Sequence, residues 1–588
     1  MVEGSMTEYI PVSQELDALA INPEIKVTKQ GKELHLENVS LHFSPLSSRT
    51  ALVQFENQIE SGAYVLGDGF QMLCQTAGKL DGFIDIGRCP DNNSSYRIYP
   101  EDAPRRFYNY LVVEQSTGFH LYGFTSCHRF AGYFELQHTG HGVDIVALID
   151  GEESSPQHWE NNQLESLTVL HGDSLESVYN EYANLISNHH PTRIGVSGDS
   201  PIGWCSWYAY YADVTKQNVL ENVEIMADKM FDLEWVLLDD GYQSFMGDWL
   251  TPSGKFEGGV KSLINNIREK GKKPAIWMAP FIAQAESEVF KNHPEWFLKH
   301  DNGELLKAED ITYGGWRCTP WYILDASHPE VQEHLTRVVK TMREEWGVEL
   351  FKLDANYWGT LKGQRYQKGV TGVEAYRLGM AAINEGAGDA LVLGCNAPMW
   401  PSLGLVDAMR VSDDVERDPH RFEQIAKETF YRSWQHQRLW LIDPDCATFT
   451  SLPNQGTDRA SYEFHRNVLL ASGGLLLSGD PLPELTPFAE ETLARLVSRQ
   501  RHSTNASTFT SLSMNHATLK LSEDRRVHCL FHYDDDVTEY TLTAELPCDW
   551  FDYWTGEKLN KEPVQIQIIP VNRGLDSRAI VSVMHLTN

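Results

Sequence analysis

Apolar and polar positions change rhythm twice along the 588 residues. Up to about residue 195, short runs such as KELHLENVSLHF, GFHLYGFTS and VDIVALID alternate apolar with polar side chains and are broken by Gly, Asn, Asp and Ser. Strand side chains alternate faces, so this pattern predicts half-buried antiparallel strands arranged as a β-sandwich. A helical stretch, SLESVYNEYANLISNHH, then leads out of that region. From Pro201 the strands become continuously apolar and alternate with amphipathic segments. The predicted strands are IGWCSWY, EWVLLDD, KPAIWMAP, ELFKLDA, ALVLGCN, DAMRVS, LWLIDPD and GLLLSGD. VLENVEIMADKM, PEVQEHLTRVVKTMREEW and PFAEETLARLVSRQ are among the helices that follow them. Eight such units before Gln500 predict a (β/α)8 (TIM) barrel, and a doubly wound sheet uses the same rhythm. After Arg501 the alternation returns in HATLKLSE, RVHCLFHY and EYTLTAEL, and ends near DWFDYWTGEKL. The expected layout is an N-terminal antiparallel β-sandwich (1–195), a central (β/α)8 barrel (196–500) and a small C-terminal antiparallel β domain (501–588).

The placing of polar residues favours the barrel over the doubly wound sheet. Trp207, Asp239, Asp240, Asp354, Cys395, Asp413, Asp414, Asp443, Asp445 and Asp480 all fall at or just past the C-terminal ends of predicted strands. Barrel active sites are built on that face. The stretch FKLDANYW carries Lys352 and Asp354 two residues apart, hence on one face of a strand otherwise apolar. An isolated K-x-D reads best as a structural ion pair, but the other carboxylates at strand ends turn the balance toward chemistry. A cation beside a carboxylate keeps it ionised, and a rigid carboxylate can attack a sugar's anomeric carbon. A second carboxylic acid, Asp413 or Asp414 in MRVSDD, would protonate the departing oxygen. Asp239 and Asp240 suit sugar hydroxyls, or equally a strand-to-loop turn.

Composition narrows the partners. The formal net charge is −33, with 82 acidic against 49 basic residues. That argues against nucleic acid or an anionic membrane as a partner and suits an uncharged substrate. Sixteen Trp and 24 Tyr agree with sugar binding, but large cores contain as many. Nine scattered cysteines, with no CxxC, fit a reduced interior. The opening MVEGSMTEYIPVSQELDALA lacks the basic and apolar regions of a signal peptide, and no apolar run reaches a membrane span. The expectation is a cytoplasmic protein without a membrane partner, with homo-oligomerisation left open.

GWCSWYAYY, LLDDGYQ, HPEWFLKHDNGE, LDASHPEV, FKLDANY and MRVSDD, in this order, resemble glycoside hydrolase family 36, which holds α-galactosidases, α-N-acetylgalactosaminidases and raffinose-synthase relatives. The resemblance covers most of Pro201 to Asp480; WTGE near the C-terminus adds little. It implies a retaining α-galactosidase acting on oligosaccharides such as melibiose or raffinose, with no cofactor and no metal. By the same resemblance Asp354 is the nucleophile, and Lys352, Asp239 and Asp240 contact the sugar hydroxyls. Trp207, Tyr208 and Trp277 line the sugar pocket. Arg410 with Asp414 matches an R-x-x-x-D pattern whose aspartate is the acid/base. Alignment on Ser412 instead selects Asp413, and the arginine anchor favours Asp414. Two departures bear on specificity. GCNAPMW replaces a Cys-Ser-Gly-rich segment, keeping Cys395 but altering the surroundings of the sugar's 2-position. GDGFQML puts Phe70 where many members carry a tryptophan. A transglycosidase, an α-N-acetylgalactosaminidase and, in another class, a metal-dependent sugar isomerase stay open as alternatives.

Overall fold

The computed structural model describes residues 9–11, 17–533 and 535–586. Among these residues an antiparallel sheet of 13 strands comes first, an eight-stranded parallel sheet follows, and an antiparallel sheet of six strands ends the chain. The parallel strands are β1 (Ile202–Cys205), β2 (Trp235–Leu238), β3 (Lys273–Met278), β4 (Leu350–Leu353), β5 (Leu391–Gly394), β6 (Ala408–Arg410), β7 (Leu441–Asp443) and β8 (Leu476–Ser478). Each predicted apolar run contains one of them. They lie in sequential order, with β8 returning to β1 in the register Ile202↔Leu476. The Leu475 N–H also reaches the Ile442 carbonyl at 3.0 Å. The result is a nearly closed barrel.

Helix starts follow from capping residues. Thr215 and Asn218 form a capping box on Lys216–Lys229, and Thr371 with Glu374 forms another on Gly372–Ala387. Asp418 accepts the His420 and Arg421 N–H groups ahead of Pro419–Arg432, so this acidic loop residue has a defined structural task. Contacts divide the chain into two compact units. One runs to Arg193 and includes Tyr242–Lys261 and Ile276–Asp407; the other comprises Ile194–Gly241, Ser262–Ala275 and the described residues from Ala408.

In the first unit, alternation in sequence does not always mean a half-buried strand. Gly142–Asp150 is buried along nearly all its length. Its polar members are satisfied there: Asp144 accepts from the Gln54 amide and the Asn57 N–H, each at 2.8 Å, and Asp150 pairs with Lys362 at 2.7 Å. KELHLENVSLHF is a strand only over Glu33–Asn38; Val39, Leu41 and Phe43 lie beyond it and remain exposed. The turn between Tyr64–Asp68 and Gln75–Lys79 is tight. A Cβ on Gly69 would sit 2.3 Å from the Cys74 carbonyl oxygen, so glycine is required.

In the second unit, the C-terminal sheet extends past the alternation read from sequence, adding Val564–Pro570 and Leu575–Met584. Leu530, Leu542, Trp550, Ile569 and Ile580 form its core. WTGE is a turn: Asp552 Oδ1 accepts the Trp554 and Thr555 N–H groups, and Gly556 takes φ 73°. Among the described residues no helix is long and apolar enough to cross a membrane.

Candidate active site

In the first unit, the local backbone decides how Asp354 is presented. All four residues of β4 are buried, and the Asp354 N–H still donates to the Met278 carbonyl at 2.8 Å. Immediately afterwards Ala355 turns to φ 54°, a left-handed conformation costing roughly 1–2 kcal/mol for a non-glycine residue. The Ala355 N–H donates to Asp354 Oδ1 at 2.7 Å. Asn396 donates its amide to the same oxygen at 2.8 Å, while Trp277 Nε1 donates to Oδ2 at 3.0 Å. Three donors from three segments therefore fix the carboxylate plane, and the residue is 8 % exposed. Lys352, two residues back, is buried as well.

Cys395 is buried; its N–H meets the Leu353 carbonyl at 2.8 Å, and its carbonyl accepts from the Asn356 N–H at 3.5 Å. The next residue, Asn396, takes φ 43°, a conformation that asparagine tolerates well. Phe70 lies on the Tyr64–Lys79 hairpin turn, edge-on to Tyr108 and Tyr357 with ring centroids 5.4 and 6.1 Å apart. The turn is docked by Met399 N–H to the Phe70 carbonyl (2.9 Å) and by Met72 N–H to the Ala397 carbonyl (3.2 Å). Asp91 Oδ2 holds the Phe70 N–H at 2.8 Å; burial pushes that carboxyl up to about 6.

In the second unit, Trp207 and Tyr208 start a short helix just after β1. Trp207 is half-buried and meets Tyr211 edge-on at 5.3 Å. Tyr208 is buried, with its hydroxyl on Asp445. Burial first, then the neighbouring charges of Asp414 and Asp445, raises its phenol well above the usual range. Asp239 and Asp240 follow β2 directly. Ser206 Oγ accepts the Asp239 N–H at 2.9 Å, and Asp239 Oδ1 accepts the Asp240 N–H at 2.8 Å. Both residues are buried.

The two adjacent aspartates after β6 have different surroundings. Asp413 is buried: Oδ1 accepts the Asp414 N–H at 2.8 Å, and Oδ2 accepts from the Gln424 amide at 2.9 Å. Its own N–H goes to Glu428 at 3.2 Å, and burial, reinforced by Asp413, lifts the Glu428 carboxyl to about 8. Asp414 keeps 46 % of its side chain exposed while Arg410, almost wholly buried, holds its Oδ1 at 2.7 Å. Arg410 also reaches Asp445 at 3.4 Å.

Three residues here carry more than sequence reasoning assigned them. Asn396 orients Asp354; it stood next to the noted Cys395, but nothing in GCN indicates the direction of its side chain. Asp445, spaced by two from Asp443, gathers Tyr208, Arg410 and the Val415 N–H (2.8 Å). Arg417 is fully buried and binds Asp480 at 2.9 Å, the Thr450 carbonyl at 2.7 Å and the Tyr208 carbonyl at 3.2 Å. Asp480 in turn accepts the Phe449 N–H at 2.7 Å, so this strand-end aspartate braces loops.

The melibiase family model matches residues 163–387. Alpha-galactosidase 1 of Pediococcus pentosaceus is 26% identical over 264 residues, 42% of this chain and 34% of that protein. The bifunctional alpha-galactosidase/sucrose kinase AgaSK of Mediterraneibacter gnavus is 24% identical over 191 residues, 31% of this chain and 19% of that protein. The matched segments thus span about a fifth to a third of these relatives' length. Among solved structures, TtGalA of Thermus thermophilus, an alpha-galactosidase in complex with p-nitrophenyl alpha-D-galactopyranoside, gives a TM-score of 0.64 at 22% identity, covering 87% of this chain and 95% of that one. AgaA of Geobacillus stearothermophilus, a GH36 alpha-galactosidase, gives 0.64 at 13% identity, covering 97% and 81%. At these identities the structural likeness is one of fold.

Proposed function

We propose that this chain is a retaining α-galactosidase of the melibiase type, glycoside hydrolase family 36, a reading supported by the melibiase match over residues 163–387. The observation that carries the chemistry is the carboxylate of Asp354, buried at the end of a barrel strand and held by Trp277, Asn396 and the Ala355 N–H. A group fixed in this way loses little orientational freedom on attacking the anomeric carbon. Asp354 displaces the leaving oxygen to form a covalent galactosyl ester, and Asp414 donates the proton that oxygen requires. Water, deprotonated by Asp414, then releases α-galactose. Asp414 suits this task better than Asp413, because its carboxyl is accessible whereas both oxygens of Asp413 are engaged internally.

Lys352, Asp239 and Asp240 take the galactose hydroxyls, Trp207 offers an aromatic face, and the loop carrying Cys395 governs tolerance at the 2-position. Tyr208 supports the pocket through Asp445. Phe70, backed by Tyr108 and Tyr357, covers less of a sugar than tryptophan would, which favours acceptors that need little stacking. The substrates are oligosaccharides with a terminal α-galactosyl group, such as melibiose or raffinose. The test is a panel of aryl α-galactoside, α-N-acetylgalactosaminide, α-glucoside and β-galactoside, with NMR of the first anomer released. The expected result is turnover of the α-galactoside with α-galactose appearing first. β-Galactose appearing first, or preferred turnover of another glycoside, would overturn the assignment.

A further inference from the structure

Asp445 follows β7 with φ 71° and is 3 % exposed. Its Oδ2 accepts the Tyr208 hydroxyl and the Val415 N–H (2.8 Å), and its Oδ1 faces Arg410 Nη1 at 3.4 Å. The other arm of the same guanidinium holds Asp414 Oδ1 at 2.7 Å, and Arg410 Nε is spent on the Ser412 carbonyl at 3.1 Å. One buried cation is therefore shared between two carboxylates, one buried and one accessible. Val415 directly follows Asp414, so Asp445 also ties down the backbone on which Asp414 stands.

We infer that Asp445 is a positioning residue that divides the charge of Arg410 and thereby lets Asp414 carry a proton when the glycosidic oxygen departs. This rests on Asp414 being the acid/base. An arginine facing a single carboxylate favours its ionised form strongly, which would be wrong for a general acid. A second carboxylate on the same guanidinium weakens that hold and repels the charge on Asp414 as well. The other titratable groups around the pair are Tyr208 after β1, Asp443 on β7, Cys446 beside Asp445, Asp413, and Arg421, whose guanidinium bonds the Asp414 carbonyl. Arg421 itself faces Asp413 at 3.7 Å and Glu416 at 3.2 Å, and Arg410 is a cation that Asp414 and Asp445 both face.

Asp445→Asn isolates the charge. Asparagine tolerates positive φ, and its amide oxygen still accepts from Tyr208 or Val415. With melibiose, whose leaving group needs protonation, the alkaline limb of the kcat/KM–pH profile reports the proton on the acid. In Asp445→Asn that limb should move to lower pH by about one unit. With an activated aryl α-galactoside, which needs no proton, the alkaline limb should move less than it does with melibiose. Tyr208→Phe should move the limb the other way, because Asp445 then leans more on Arg410; it decides the matter should Asp445→Asn fold poorly. A limb that moves in neither variant overturns the inference. Asp414→Ala is the control. Were the wild-type limb to persist there, the acid/base assignment would fail, and the role of Asp445 with it.

Discussion

Trp277 has two readings that its substitution by phenylalanine separates. As a sugar platform it contributes a flat face, which phenylalanine largely keeps. As the donor to Asp354 Oδ2 at 3.0 Å it contributes an N–H, which phenylalanine lacks. The ring is 1 % exposed and sits edge-on to Trp249 at 5.7 Å, so the smaller ring also leaves a void. Removing a hydrogen bond to a charged group costs about 1.5–3 kcal/mol. Realised in the transition state, that is roughly a 10- to 150-fold loss of kcat/KM. The void should lower stability by about 1–2 kcal/mol, read separately from urea unfolding. Steady-state rates with an aryl α-galactoside, taken well below the melting transition, should show the loss mainly in kcat. A kcat/KM within about twofold of wild type, or a rise in KM alone, would refute the positioning argument and leave Trp277 as a platform.

Two further outcomes are expected. Asp414→Ala should lose far more activity on melibiose than on an activated aryl galactoside, because only the former needs a proton, whereas Asp413→Ala should weaken both comparably; the reverse pattern would make Asp413 the acid. His436, whose Nδ1 accepts the Ile442 N–H at 3.0 Å, is lowered to about 4 by burial, with Arg499 and Arg438 adding to it. Its folded value lies below the unfolded one, so its contribution is intact above about pH 6.5 and is lost as pH falls toward 4, by about 3 kcal/mol in all. Unfolding free energies between pH 7 and 4 should therefore fall less steeply in His436→Gln; equal slopes would dismiss this histidine as an acid-sensitive site.

What could be read from the sequence was whatever chain-local pattern encodes. The eight barrel strands were legible because runs such as LVLG and WVLL are apolar throughout, and Asp354 and Asp414 stand out as candidates because a carboxylate at a strand end is an anomaly. The last two strands lie beyond the alternation read from the sequence. Val564–Pro570 exposes Ile566 and Ile568 to solvent while Ile569 joins the core, so its burial does not follow the V-Q-I-Q-I alternation. Contacts between distant residues were equally hidden. Asn396 and Trp277 converge on Asp354 from 42 and 77 positions away, and Tyr208 reaches Asp445 across 237.

The most direct measurement of the central claim concerns the attacking group itself. Asp354→Gly removes the carboxylate and leaves space on the face of the sugar opposite the leaving group. Turnover of an activated α-galactoside should fall nearly to zero. Added azide should restore it in a single inversion and yield β-galactosyl azide. Asp414→Ala should give the opposite anomer, because azide there intercepts the covalent ester in a second displacement. Lys352→Met should lower activity without any rescue. Isolating α-galactosyl azide from Asp354→Gly, or finding that variant as active as wild type without azide, would contradict Asp354 as the nucleophile.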